Sequence, residues 1–294
     1  AQILQDAVTH SSRETFPDFK NILITWRERL PNKWDSLRDW DDIFSWRIQV
    51  FESVNHSFKW GEAQKRAVLH DLPWTVIKMA HVARKQNLKH VCLSSLARLR
   101  TVQSMDVQDA FDKLREQIIV CHADSGPEEK VELRSGLNII NNTKLDYFDE
   151  KQKAELFRLK GLFVASLKEK PDANSSFSHC LQICGNYGKG WYSWARHCDA
   201  IFMELKKNPY AAQAIACYTQ AVNHNCDSAR LMLSRVLWLL SLDDEQHTYA
   251  STLDKCGKNL PRWVWIPWIP QLLTALTRPE AVYARNILKG IADD

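Results

Sequence analysis

Two stretches of the sequence repeat one pattern of small and aromatic residues: PDANSSFSHCLQIC at residues 171–184 and NPYAAQAIACYTQAV at residues 208–222. In each stretch a small residue, an aromatic residue and a second small residue follow one another at steps of four and three. They are Ala173, Phe177 and Cys180 in the first stretch, and Ala214, Tyr218 and Ala221 in the second. Residues three and four apart share one face of an α-helix, so the pattern predicts two helices that each pack closely on a neighbour.

The pattern resembles a degenerate tetratricopeptide-like repeat, a unit of two antiparallel helices. Gly161 occupies the small-residue position of the helix before Ala173, and Pro171 is predicted to lie in the turn between the two helices. The repeat distance from Ala173 to Ala214 is 41 residues, longer than the usual period of about 34 because the turn at residues 206–209 is longer. Small residues let two helices approach each other closely, and the aromatic residue fills the remaining groove.

The composition of the whole chain favours helices. Only 9 of the 294 residues are Gly and 10 are Pro, and these residue types mark the turns and strand ends of β-rich folds. Twelve Trp residues indicate wide contacts between helices. The sequence therefore predicts an all-α fold, an α-solenoid of antiparallel helix pairs over residues 1–294. We expect N-terminal helix pairs in residues 1–150, and tetratricopeptide-like pairs with Trp-rich C-terminal helices in residues 151–294.

The charge and cysteine patterns exclude several classes of protein. The formal net charge of +4 arises from 39 basic and 35 acidic residues, so no basic stripe predicts nucleic-acid binding. No apolar run reaches the roughly 18 residues of a membrane span. The eight Cys residues lie mostly inside apolar helical patterns, which favours a reducing, intracellular environment over a disulfide scaffold.

Aromatic and small residues at helical spacings form the predicted core. Pro267 and Pro270 exclude a regular helix over residues 263–270, so we expect a buried, kinked entry into a helix of residues 272–277. Residues 55–73 are predicted to form a polar connector that Pro73 closes. The predicted structural core residues are Trp40, Phe44, Trp46, Gly161, Ala173, Phe177, Ala214, Tyr218, Trp238, Trp265 and Trp268.

Three groupings of polar residues could in principle carry chemistry. They are the acidic run Asp39, Asp41 and Asp42, the zinc-like set His179, Cys180 and Cys184, and the pair Cys121 and His122. We favour helix capping and solvation for the first, because adjacent helical residues point to different faces. Structural zinc usually takes two close ligand pairs, and a nucleophile needs a base and an orienting group. We therefore predict no cofactor, no metal and no catalytic residue.

Two surfaces could bind protein partners. A small basic edge, formed by Arg84, Lys85 and Lys89, could receive an acidic segment, although a solvated helix edge is the simpler interpretation. The cluster of Trp263, Trp265 and Trp268 could form an aromatic pocket for a partner, because exposed apolar patches mark interaction sites. Burial against the neighbouring helices is the interpretation that we favour for this cluster.

Four motifs carry a resemblance to a known family. They are WRERLP at residues 26–31, WDDIFSWR at 40–47, VLWLLS at 236–241 and WIPQLL at 268–273. Together they resemble the FAT domain of the phosphatidylinositol-3-kinase-related kinases, and in particular its pseudokinase scaffolds. The resemblance implies a helical collar that cradles a kinase-like domain beyond residue 294. It also implies a nuclear, activator-binding subunit of histone acetyltransferase complexes such as SAGA, with co-activator subunits and acidic transcription activators as partners.

The resemblance leaves two alternatives open. The chain could be the FAT region of a catalytically active kinase relative, or a stand-alone tetratricopeptide-like adaptor that binds peptide tails. A kinase needs a glycine-rich phosphate loop, a strand lysine, an Asp-containing catalytic loop and a metal-binding Asp-Phe-Gly, and none of these strings occurs. The sequence therefore predicts a segment that is not itself an enzyme, and its helix-like end at residues 281–291 suggests a larger parent protein.

Overall fold

The structure, a computed structural model, describes residues 15–57, 71–99, 105–122, 129–167, 170–278 and 280–293. Within these ranges every regular element is a helix and no strand occurs, so the predicted all-α fold class is confirmed. None of the described helices combines the length and apolarity that crossing a bilayer requires. The chain divides into two compact units, residues 1–139 and 140–294. This division falls inside a helix, whereas the sequence placed its boundary at residue 150.

The first unit contains the N-terminal helices. They are α1 (Thr15–Glu28), α2 (Leu37–Ser57), α3 (Asp71–Lys85), α4 (Lys89–Arg98), α5 (Val107–His122) and the greater part of α6 (Glu129–Asn141). One core cluster joins α2 to α3 through Trp40, Phe44 and Val82. A second cluster joins α3, α4 and α5, with Ala80, Cys92 and Leu96 fully buried.

The second unit continues the helical order. It contains α7 (Glu150–Ser166), α8 (Lys170–Ile183), α9 (Gly188–Leu205), α10 (Asn208–Asn223), the short α11 (Asp227–Arg230), α12 (Leu233–Leu240) and α13 (Thr248–Cys256), then a 3₁₀ helix (Arg262–Trp268), α14 (Ile269–Ala275) and α15 (Ala281–Asp293). Helix α8 packs along α7, and α10 packs along α9. The prediction that the Ala173 and Ala214 helices each pack on the preceding helix is thereby confirmed.

Helices α7 and α8 approach each other closely at Gly161. A Cβ atom built on Gly161 would lie 2.7 Å from Cε1 of Phe177, far inside van der Waals contact. Phe177 and Ala173 are fully buried on α8, and Ala214 and Tyr218 are fully buried on α10. The small and aromatic positions of the repeat therefore lie inside the helix pairs.

We expect Gly161→Val to lower the free energy of unfolding by about 1–3 kcal/mol, because the added side chain would displace the buried Phe177 ring. Gly185→Val is the matched control, since a Cβ there meets only Leu181 O at 3.6 Å. Chemical denaturation of both variants measures the difference. Equal stability of the two variants would contradict the close approach of α7 and α8.

Two prolines that were predicted to lie in connections belong to helices instead. Pro73 is the third residue of α3 and Pro171 the second residue of α8. The first turn of a helix has no internal partner for the backbone N–H that proline lacks, so proline is tolerated there. The predicted polar connector at 55–73 is helical at both described ends, and residues 58–70 lie outside the described part of the chain.

The Trp-rich C-terminal stretch is a 3₁₀ helix that contains Pro267, followed by α14 with Pro270 in its first turn. The prediction that this stretch is not a regular α-helix is confirmed. The expected burial of all of it is wrong: Trp265 is 5% exposed and Trp268 is half-buried, but Trp263 is 53% exposed. A 3₁₀ helix has three residues per turn. Residues 265 and 268 therefore share one side, and residue 263 lies on another.

Two further members of the predicted core lie largely outside it. Trp46 is 54% exposed on α2 and Trp238 is 38% exposed on α12. Each stands two residues after a buried apolar residue, Phe44 in α2 and Val236 in α12. Positions two apart lie on nearly opposite sides of a helix, so burial of one turns the other outward.

Candidate interaction surfaces

The predicted basic edge of the first unit is largely neutralised inside the unit. The Arg84 guanidinium on α3 donates from Nε to Glu116 Oε2 on α5 at 2.6 Å. His81 Nδ1 lies 3.0 Å from the second oxygen of the same carboxylate. Glu116 is only 2% exposed. Arg84 therefore joins α3 to α5 through a buried ion pair, and its binding of a partner stays a prediction.

The electrostatics of Glu116 follow from this arrangement. Burial would raise the pKa of its carboxyl, but the hydrogen bonds from His81 and Arg84 outweigh burial. Together they lower the pKa from its ordinary value of 4.5 to about 2. The carboxylate is consequently charged at neutral pH, and its burial depends on the Arg84 guanidinium and on the contact with the His81 ring.

Lys89 is also engaged inside the first unit. Its Nζ forms an ion pair with Glu132 of α6, so its part in a partner-binding edge stays a prediction. Of the three residues proposed for that edge, Lys85 is exposed. Sequence spacing alone could not reveal the two acidic partners, because both lie on helices far along the chain.

The Trp-Arg motifs join α1 to α2. Arg47 is 4% exposed, and its Nη2 donates to Arg29 O at 3.0 Å. Its guanidinium lies 5.5 Å from the centre of the Trp26 ring, and the Trp26 and Trp46 rings are 5.2 Å apart. Cation–π contact and hydrogen bonding therefore give these motifs a structural role.

A buried polar cluster connects α7 to the start of α9. Tyr187 donates its hydroxyl to Glu155 Oε2 at 2.6 Å, and Arg158 donates from Nη2 to Glu155 Oε1 at 2.8 Å. The same guanidinium reaches Ser193 Oγ at 3.2 Å. Burial and the Glu155 carboxylate raise the pKa of Tyr187. A tyrosine held neutral in this way positions helices and is a poor acid or base at neutral pH.

The face formed by α9 and α12 has a different character, because it presents apolar and cationic side chains to solvent. We define the α9–α12 face by Arg196, Asp199 and Met203 on α9, and by Arg235, Trp238 and Leu242 at or just beyond α12. Arg235 Nη2 donates to Asp199 Oδ1 at 2.9 Å and thereby joins the two helices. Its guanidinium also lies 3.9 Å from the centre of the Trp238 ring.

The candidate cysteine chemistry has no support in the geometry. Cys180 on α8 and Cys184, the residue after that helix, are free thiols, and burial raises the pKa of Cys180 to about 12. His179 stacks on Phe157 at 5.7 Å. Burial also raises the pKa of Cys121. In the described part of the chain, no three His, Cys, Asp or Glu side chains come together in a way that could hold a metal ion.

The acidic run at the start of α2 remains on the surface. Asp39 lies in the first turn of α2, where a negative charge opposes the positive end of the helix dipole. Asp41 and Asp42 are exposed. This placement agrees with the solvation that the sequence analysis favoured, and the side-chain hydrogen bond at this helix start comes from Ser36, whose Oγ accepts from Arg38 N at 3.3 Å.

Comparison with known proteins gives one family match. The model of the FAT domain matches residues 2–238 of the chain. This range includes the WRERLP and WDDIFSWR motifs at residues 26–31 and 40–47, and it ends inside the VLWLLS motif. More than half of the chain therefore corresponds to one family.

Similar proteins from yeasts and human carry transcription-related names. The chain is 38% identical to the SAGA complex/NuA4 acetyltransferase complex subunit TRA1 of Saccharomyces cerevisiae, over 94% of the chain and 8% of that protein. It is 35% identical to the subunit Tra1 of Schizosaccharomyces pombe, over 98% of the chain and 8% of that protein. It is 33% identical to the human Transformation/transcription domain-associated protein, over 93% of the chain and 8% of that protein. The chain thus spans about a twelfth of the length of these relatives.

Proposed function

The chain belongs to the FAT-domain family, and from that premise we propose that it is the non-catalytic FAT scaffold segment of a TRRAP-like transcription co-activator subunit. The subunit belongs to histone acetyltransferase complexes such as SAGA and acts in the nucleus. Its FAT segment supports a neighbouring kinase-like domain and binds other subunits of the complex. The segment performs no group transfer of its own.

The names and the coverage of the relatives carry this proposal. The two yeast relatives are named as subunits of SAGA and NuA4 acetyltransferase complexes, and the Drosophila relative is named Transcription-associated protein 1. Each is at least 33% identical over at least 94% of the chain. A match that runs through nearly every helix favours a shared role for the whole segment over a shared short motif.

The pairing of buried carboxylates with arginines also supports a scaffold role. The buried ionic residues Glu116, Glu155 and Asp199 are each paired with an arginine from the same unit. Paired buried charges position helices. A reaction centre, in contrast, needs a nucleophile, a base and an electrophilic group that converge on one reacting atom.

Affinity purification of the full-length protein from its own cells tests this function. We expect acetyltransferase subunits to co-purify with it, and we expect the eluate to acetylate histones when acetyl-CoA is added. Cells that carry no tag are the control. Recovery of the protein without acetyltransferase subunits would contradict the proposal, and ATP-dependent phosphorylation by the protein itself would favour the kinase alternative.

A further inference from the structure

The positive charge of the chain is concentrated toward its C-terminal end. Residues 255–293 contain six basic and two acidic residues, which leaves 33 of each in the rest of the chain. The whole formal net charge of +4 therefore belongs to this stretch. The nearly even balance over the full sequence conceals the concentration, because a count over the whole chain averages segments of different charge.

The fold exposes all six of these basic side chains. They are Lys255, Lys258, Arg262, Arg278, Arg285 and Lys289. All of them except Arg262 form no ion pair with a carboxylate of the described residues. Of the two acidic residues, Glu280 is 7% exposed, and Asp293 is exposed at the end of α15. Asp254 precedes Lys255 on α13 and offsets that cation, but the other five cations still outnumber the two acidic residues.

Helix α15 brings three of the cations together. Arg285 and Lys289 are four residues apart, so they share one face of the helix and lie about 6 Å apart along its axis. Arg262 Nη1 donates to Gly290 O at 2.7 Å. A Cβ atom built on Gly290 would lie 3.3 Å from Arg262 Nε. The Arg262 guanidinium therefore rests on α15 beside Lys289 and extends the row of positive charge.

An exposed tryptophan lies next to this row. Trp263 follows Arg262 on the 3₁₀ helix and is 53% exposed. The Arg230 guanidinium lies 5.0 Å from the centre of the Trp263 ring, and a cation–π contact at this distance holds the indole in place. Arg230 adds no excess charge, because its Nη1 lies 3.1 Å from Asp227 Oδ1. The indole is thus supported by its neighbour and remains accessible to a ligand.

Exposed cations beside an accessible indole favour a nucleic-acid strand over a peptide as the ligand. An ion pair between solvated side chains contributes little to binding. Phosphate binding, in contrast, gains free energy from the release of condensed counterions, which does not require burial of the cations. Unpaired bases also stack on aromatic rings with little dependence on sequence. A duplex keeps its bases inside, so it would use the cations but not the Trp263 ring.

We propose that Arg262, Trp263, Arg285 and Lys289 form a surface that binds single-stranded nucleic acid. The three cations contact phosphates, and one base stacks on the face of the Trp263 ring that points away from Arg230. This C-terminal basic surface gives the chain a binding activity beyond the scaffold role and does not depend on that role. Single-stranded DNA and RNA share the chemistry, and the test separates them.

Fluorescence anisotropy on the full-length protein tests the proposal, with labelled dT and U oligomers of about 20 nucleotides as probes. We expect the double variant Arg285→Gln, Lys289→Gln to weaken binding about tenfold. It should also make the slope of log affinity against log salt shallower by about 1 to 2, because two phosphate contacts are lost. Trp263→Ala should weaken binding about fivefold or more at an unchanged salt slope, because it removes only the stacking.

Matched controls come from the first unit. Lys130→Gln, Arg134→Gln removes an exposed Lys and Arg that are likewise four residues apart on one helix, α6. Trp34→Ala removes a Trp that is 70% exposed and has Lys33 Nζ 5.4 Å from its ring centre. Both controls should bind the oligomers within about twofold of the parent. Thermal unfolding of all these variants should change little, because the replaced side chains are exposed.

The proposal is wrong if the double variant or Trp263→Ala binds both oligomers as the parent does, or if the controls lose as much affinity. It is also wrong if the full-length protein binds neither oligomer, or if duplex DNA or a poly-glutamate peptide of equal charge competes as well as the unlabelled oligomers do. Binding of only the dT or only the U oligomer supports the proposal and identifies the strand as DNA or RNA. Acetyltransferase subunits should co-purify with every variant, so a failure here leaves the scaffold proposal untouched.

Discussion

Trp40→Ala is expected to lower the free energy of unfolding of the first unit by about 3–5 kcal/mol. The indole is 2% exposed, and its Nε1 donates to Asn32 O at 3.1 Å. Its ring packs edge-on against Phe44 with the ring centres 5.5 Å apart. Removal of the indole leaves a cavity between α2 and α3, and Asn32 O keeps only its hydrogen bond from Asp35 N at 2.8 Å. Chemical denaturation of the variant measures the loss.

Trp46→Ala is the matched control for this prediction. Trp46 lies on the same helix but is 54% exposed, so its removal creates no closed cavity. We expect the control to change stability by less than about 1 kcal/mol, as is usual for exposed positions. A larger loss in Trp46→Ala than in Trp40→Ala would contradict the burial pattern of α2.

Arg84→Met is expected to lower stability by about 3–5 kcal/mol, because it leaves the buried Glu116 carboxylate without its main cationic partner. The methionine side chain keeps much of the apolar volume of the arginine stem, so most of the effect is electrostatic. Lys85→Met is the control, since Lys85 is the next residue and is exposed. Urea denaturation at neutral pH measures both. Equal losses of stability in the two variants would indicate that Arg84, like Lys85, lies on a solvated helix edge.

The same cluster predicts a dependence of stability on pH. The pKa of Glu116 is lowered from 4.5 to about 2 in the folded protein. The ionised carboxylate therefore contributes stability that is fully present above about pH 4.5 and is lost as the pH falls toward 2. We expect part of this acid-induced loss to disappear in Glu116→Gln, which has no proton to bind over that range.

Local sequence patterns predicted the helix pairs of the second unit well. The positions of Ala173, Phe177, Ala214 and Tyr218 depend only on steps of three and four along one helix, and such steps can be read from the sequence. The repeat pattern assigns Gly161 to a small-residue position and Phe177 to an aromatic position, and their close contact follows from that assignment. The FAT resemblance rested on motifs that extend over most of the chain, and the family match bears it out.

The interaction surfaces could not be predicted in the same way. Arg84 and Glu116 are 32 residues apart and meet only because α3 packs on α5, a contact that no local pattern encodes. Arg235 and Asp199 are 36 residues apart and define the α9–α12 face. The outward position of Trp238 had a local signal, since it stands two residues after Val236.

Recovery of acetyltransferase subunits with variants of the full-length protein tests the scaffold account most directly. One variant, Trp40→Ala, damages the fold. The other removes the candidate reactive groups through Cys121→Ser, His122→Ala and Cys184→Ser, at positions that are only partly buried. If the chain acts through its folded surface, recovery and histone acetylation should fall with Trp40→Ala and stay at the parental level in the triple variant. Loss of histone acetylation in a triple variant that unfolds at the parental temperature would contradict the account.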